Sequence, residues 1–110
     1  MILWALGAVD ELPPADEQCD TSVFREILPP YSATNVADFL ASAQLRPEAE
    51  LIAVADDMRA LHWEARDAEI KGSSIQPRVD TEVIQERHHA INWIIGYDGA
   101  DWDDVTTDTY

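Results

Sequence analysis

Residues 47–72, PEAELIAVADDMRALHWEARDAEIKG, decide the fold of this chain of 110 residues. Apolar side chains recur in this stretch at steps of three and four, which is typical of one face of a long amphipathic helix. These apolar positions are Leu51, Val54, Ala55, Met58, Leu61, Ala65 and Ala68. Pro47 suits the first position of a helix, and Gly72 suits the left-handed position that ends one. The stretch therefore predicts one long helix between these two residues.

The rest of the chain also predicts helices. A second amphipathic helix is expected to begin at Asp80 or Thr81 and to end at Gly96, with Ile84 and Ile91 on its apolar side. Shorter helices are expected within residues 2–9, 20–28 and 32–44. No stretch of convincing length alternates apolar and polar residues as a strand does. We therefore predict an all-α fold in one domain, residues 1–110: a compact bundle of about five helices with an irregular acidic carboxy-terminal tail.

The charge of the chain limits its partners. Seven basic and 22 acidic residues give a formal net charge of -15. Such a chain repels nucleic acids and anionic membranes, and it attracts basic partners. One cysteine, Cys19, permits no internal disulfide, and no apolar run approaches the ~20 residues that span a bilayer. We predict a cytoplasmic protein with no nucleic acid and no membrane partner.

Seven polar side chains on the two longest predicted helices form a candidate site. They are His62, Arg66, Asp67, Glu86, Arg87, His88 and Asn92. If the two helices pack together, His62 and His88 come close to each other, and histidines can transfer protons or bind a metal near neutral pH. The alternative is structural, because an isolated histidine on an apolar helix face is commonly a hydrogen-bonded core residue.

The patterns of known metal and nucleotide sites are missing. Glu86 and His89 are three apart on one helix face, but the zinc-protease pattern of two histidines four apart does not occur. The aspartates of residues 98–104 fail the spacing of a calcium loop, and there is no glycine-rich phosphate loop. We therefore predict no cofactor and no bound metal.

Several short segments together carry a resemblance to a known family. They are Leu3-Trp4-Ala5-Leu6-Gly7, Leu61-His62-Trp63, Glu86-Arg87-His88, Asn92-Trp93 and Asp101-Trp102-Asp103-Asp104. With these segments the chain resembles the carboxy-terminal portion of the bacterial family called domain of unknown function 4272. The resemblance implies a helical protein with a further amino-terminal region, without which residues 2–6, including Trp4, would lack their usual cover. It implies no substrate, cofactor or catalytic residue.

Two functions remain open at this point. The first is a non-enzymatic acidic protein-interaction domain of a bacterial cytoplasmic protein, which binds a protein partner or associates with itself. The second is a small hydrolase or metal-dependent enzyme that uses the polar cluster between the two longest helices. The second function predicts that His62 and His88 lie within a few ångströms of each other in an accessible cleft.

Overall fold

A computed structural model describes residues 1–28, 35–72 and 80–109 of the chain. All regular elements of this described part are helical, so the all-α prediction is confirmed. The α-helices are α1 (Ile2–Ala5), α2 (Phe24–Ile27), α3 (Val36–Ser42), α4 (Glu48–Ile70) and α5 (Thr81–Ile94). Short 3₁₀ helices span Thr21–Val23 and Tyr97–Gly99. The predicted helix over 2–9 is shorter than expected, and part of the range predicted for α3 lies outside the described residues.

Gly72 and Asp80 act as predicted at the ends of α4 and α5, whereas Pro47, which was expected at the first helical position, is the N-cap residue before α4. α4 begins directly after Pro47, and Gly72 follows its last turn with a φ of 59°, which favours glycine. Before α5, an Asp80 carboxylate oxygen accepts hydrogen bonds from the backbone N–H groups of Glu82 and Val83, at 2.9 and 3.2 Å. These bonds satisfy donors that have no partner inside a helix, and they fix where α5 begins.

The core lies mainly between α4 and α5, the two helices that pack together most extensively. Its buried apolar members are Trp4, Ala5, Leu51, Ala55, Met58, Ala65, Ile84 and Ile91. Ala65 faces the core without any exposed surface, and so do Ile84 and Ile91. Small side chains on α4 allow the larger side chains of α5 to pack closely against them. A polar residue on either of the two facing sides of these helices is therefore buried.

The amino-terminal segment packs onto this pair of helices. Trp4 and Ala5 are 8% and 1% exposed, so the expected lack of cover was wrong for Trp4, whereas Ile2 is 42% exposed. The backbone N–H groups of Gln44 and Arg46 donate to the carbonyl oxygens of Leu6 and Ala5, at 3.1 and 2.8 Å. These bonds satisfy the last carbonyl groups of α1, because the segment that leads into α4 runs beside the end of that helix.

No helix among residues 1–28, 35–72 and 80–109 is long and apolar enough to cross a membrane.

Candidate functional site

Two buried histidines contact each other between α4 and α5. The Nδ1 atoms of His62 and His88 lie 2.9 Å apart, a hydrogen-bond distance. The two rings are nearly perpendicular, at 89°, and the residues are 2% and 1% exposed. A bond between two ring nitrogens needs one nitrogen that carries a proton and one that accepts it. The neutral pair meets this need when the two rings adopt opposite tautomers.

The surroundings keep both histidines uncharged. Burial, followed by interaction with His62 and Arg59, lowers the pKa of His88 to about 4, while Asp108 opposes this shift. Burial also lowers the pKa of His62, together with the charge of Arg66. At neutral pH the pair is therefore a hydrogen-bonded, uncharged polar contact inside an apolar core.

A small cavity of about 70 Å³ lies beside His88, between α4, α5 and the tail (residues 97–109 of the described chain). Its polar lining consists of Asp56, Arg59, His88, Asn92, Tyr97 and Asp108. Since Nδ1 of His88 is bonded to His62, the nitrogen left for a molecule in the cavity is Nε2. The cavity holds on the order of two water molecules.

The tail borders the cavity, and hydrogen bonds join it to α5 and hold its own residues together. Asn92, which is 4% exposed, donates from Nδ2 to the carbonyl oxygen of Thr106 at 3.0 Å. The hydroxyls of Thr106 and Tyr97 both donate to one oxygen of Asp108, at 2.9 and 3.0 Å. These bonds lower the pKa of Asp108 and raise the pKa of Tyr97, because each favours the charged carboxylate and the protonated phenol. The tail is thus held in place partly by an ionised carboxylate.

The predicted polar cluster is only partly assembled in the structure. His62, His88 and Asn92 lie together in the interior, while Arg66 is exposed and acts on His62 through its charge.

The other three predicted residues lie elsewhere. Asp67 forms an ion pair with Lys71 on the surface of α4, at 3.0 Å, and Glu86 is exposed. Arg87 donates from Nη2 to the carbonyl oxygen of Pro14, at 3.4 Å. This side of α5 faces the amino-terminal segment. Arg87 therefore packs against that segment and does not line the cavity.

Four polar residues at the cavity did not belong to the predicted cluster: Asp56, Arg59, Tyr97 and Asp108. Arg59 lies on α4 three positions before His62, so the spacing of the helix could have indicated it. Tyr97 and Asp108 lie in the tail, where no periodicity indicates which side chains turn inwards.

A second feature is an aromatic surface formed by α5 and the tail. The rings of Trp93 and Trp102 meet edge to face with centroids 5.4 Å apart, and they belong to residues that are 42% and 40% exposed. His89 packs against Trp102 with centroids at 4.5 Å, and its Nε2–H donates to the Trp102 carbonyl oxygen at 2.8 Å. The exposed aspartates next to Trp102 in the chain are Asp101, Asp103 and Asp104. We call these five residues, two tryptophans and three aspartates, the tryptophan–aspartate surface.

Nowhere in the described part of the chain do three or more His, Cys, Asp or Glu side chains gather in a way that could hold a metal ion.

The described elements define a class of all-α protein in which a pair of packed helices encloses a histidine pair and carries a tail across one side. The chain belongs to the family described as Domain of unknown function (DUF4272), whose family model matches residues 1–105. The match covers nearly the whole chain and is not limited to its carboxy-terminal portion. No curated protein and no solved structure matches the chain.

Proposed function

We propose that this chain is a non-enzymatic interaction domain that binds a basic segment of another protein on the tryptophan–aspartate surface. The observation that best supports the proposal is the contact of two half-exposed tryptophan rings, Trp93 and Trp102, beside three exposed carboxylates. Exposed aromatic side chains are enriched in protein interfaces, and a fixed pair of them offers a surface that is already arranged for contact.

The chemistry of this surface favours arginine and lysine. A guanidinium or ammonium group that lies over a tryptophan ring gains about 0.5–2 kcal/mol from the ring quadrupole. The carboxylates of Asp101, Asp103 and Asp104 are exposed, so they can accept hydrogen bonds from basic side chains. His89 fixes the position of Trp102 before any partner arrives, which lowers the entropy cost of binding.

The net charge of -15 supports a basic partner over a second copy of the chain. Two such molecules repel each other, whereas a basic partner is attracted and its encounter rate rises at low salt. Self-association, the other predicted interaction, therefore has less support.

One observation supports the enzymatic alternative, and two observations count against it. The Nδ1 atoms of His62 and His88 are 2.9 Å apart, as a cluster of catalytic histidines would require. However, the residues are only 2% and 1% exposed, and the cavity beside them measures about 70 Å³. A cavity of this size gives a substrate little contact with the two rings, so the burial of the pair favours the interaction domain.

The proposal can be tested by titrating the purified chain with short oligoarginine and oligolysine peptides and with an uncharged peptide of equal length. We expect the basic peptides to bind, with an affinity that falls as salt is added. Trp102→Ala should weaken binding about tenfold, the equivalent of roughly 1.4 kcal/mol.

Trp63→Ala is the matched control, because Trp63 is 50% exposed on α4 and makes no ring contact with the Trp93–Trp102 pair. The proposal fails if no basic peptide binds at low salt, or if both tryptophan variants weaken binding equally.

A further inference from the structure

We propose that the contact between His62 and His88 is an acid-sensitive latch, which holds α4 and α5 together while only one of the two facing nitrogens carries a proton. Adding a proton to the second nitrogen opens the contact. This inference concerns the interior of the molecule and does not depend on the proposed function.

The geometry of the pair provides the first argument. At 2.9 Å the two Nδ1 atoms can share one proton, but they cannot each carry one, because two N–H groups would then point at each other. The residues are 2% and 1% exposed, so neither ring can turn into solvent without a movement of its helix. The first proton added to the neutral pair can bind the unprotonated Nε2 of the donor ring, and it leaves the N–H···N bond in place. A second added proton must bind the accepting Nδ1, and it replaces the attraction between the helices by a repulsion between two buried cations.

The charges around the pair provide the second argument. On α4, Arg59 and Arg66 act against a positive charge on the pair, and Glu69 acts in its favour. From the tail, Asp108 also favours a charge on His88. None of these groups forms an ion pair with either imidazole in the described part of the chain.

The carboxylate that could relieve the charge is already engaged. Asp108 accepts hydrogen bonds from the hydroxyls of Tyr97 and Thr106, which anchor the tail. A movement of Asp108 onto a charged His88 would break this anchor. From α1 the core receives Trp4 and Ala5, which carry no charge. The other carboxylate that lines the cavity, Asp56, forms no ion pair with either imidazole in the described part of the chain. The protonated pair is therefore buried without a paired counter-ion, and separation of the helices hydrates it.

Imidazole ¹⁵N NMR of the full chain, recorded from about pH 8 to about pH 3, tests the latch. At the upper end we expect one protonated and one unprotonated Nδ1, with a scalar coupling between them across the N–H···N bond. At the same pH, amide hydrogen exchange in residues 58–65 and 84–92, corrected for its intrinsic pH dependence, should be slow.

As the pH falls through about 4, near the lowered pKa of His88, the coupling should disappear and exchange in both segments should accelerate together. The inference is overturned if both rings become charged while exchange stays slow. It is equally overturned if the coupling persists to the lowest pH, or if the two rings show no coupling at neutral pH.

A pair of variants separates the latch from a general effect of acid. His88→Asn keeps an amide near the position of Nδ1 and removes one titrating group. The acid-induced gain in the amide exchange rate should therefore be at least about tenfold smaller in this variant than in the parent chain. His89→Asn changes the neighbouring histidine outside the pair and should leave the gain as in the parent chain. An equal gain in all three chains would contradict the proposal. If His88→Asn does not fold at neutral pH, the spectra of the parent chain decide.

Discussion

Arg46 fixes the end of α1 by binding the carbonyl oxygen of Trp4 while its guanidinium group covers the ring of the same residue. Its Nε donates to that oxygen at 2.6 Å, and Cζ lies 4.5 Å from the centroid of the ring. Nη2 donates to the carbonyl oxygens of Val9 and Asp10, both at 2.9 Å. One side chain thus ties the first ten residues to the start of α4.

Replacing Arg46 by lysine should show how much this arrangement contributes to the stability of the fold. Lys keeps the charge but lacks the planar fork that reaches three carbonyl oxygens, so we expect Arg46→Lys to lower the free energy of unfolding by about 2–3 kcal/mol. Urea unfolding measures this difference. Lys71→Ala is the control, because it removes only an exposed ion pair with Asp67 and should cost at most about 1 kcal/mol. A loss for Arg46→Lys no larger than that of the control would contradict the interpretation.

Two isoleucines that differ in burial test the core. Ile84 on α5 is 0% exposed and Ile70 on α4 is 83% exposed. Ile84→Ala should lower the free energy of unfolding by about 3 kcal/mol, since it removes buried methyl groups and leaves a cavity. Ile70→Ala should change it by less than about 0.5 kcal/mol. Similar losses for both variants, measured by urea unfolding, would show that α5 does not pack as described.

Asn92 should be needed to hold the tail. Asn92→Ala leaves the Thr106 carbonyl oxygen without its donor, and we expect a loss of about 1–3 kcal/mol and faster proteolysis within residues 100–109. Limited proteolysis followed by mass spectrometry gives the cleavage rates at each site. Gln85→Ala, at an exposed position of the same helix, provides the control and should be cut at the rate of the parent chain. Unchanged cleavage in Asn92→Ala would mean that other contacts hold the tail.

The histidine pair predicts how stability changes with pH. Because the pKa of His88 is lowered to about 4 in the folded chain, the unfolded chain binds more protons between about pH 6.5 and pH 4. Stability due to this residue is therefore fully present above about pH 6.5, and it falls as the pH drops towards 4, by about 3 kcal/mol in all. The lowered pKa of His62 acts in the same direction.

Comparison with His88→Asn isolates this effect from the titration of the many carboxylates. The parent chain should lose about 3 kcal/mol of stability relative to the variant between about pH 6.5 and about pH 4, as measured by urea unfolding at each pH. A constant difference between the two chains would show that His88 titrates normally.

The sequence by itself determined the helical elements, because their signals are local. The apolar spacing from Leu51 to Ala68 and the glycine at 72 predicted α4, and Asp80 predicted the start of α5. Each of these signals acts within one or two turns of a helix, through side-chain spacing, capping or a left-handed φ. The helix over 2–9 was predicted too long, since in the structure the chain turns away after Ala5.

The tertiary structure alone decided which polar side chains meet. The spacing of α4 and α5 put His62 and His88 on inner faces, but only the packing of the two helices brought their Nδ1 atoms to 2.9 Å and left Glu86 in solvent. The positions of Tyr97 and Asp108 depend on how the tail crosses both helices, and Arg46 reaches back 42 residues to Trp4. Contacts of this kind join segments far apart in the chain, and their free energy depends on burial and on geometry that no local pattern of residues encodes.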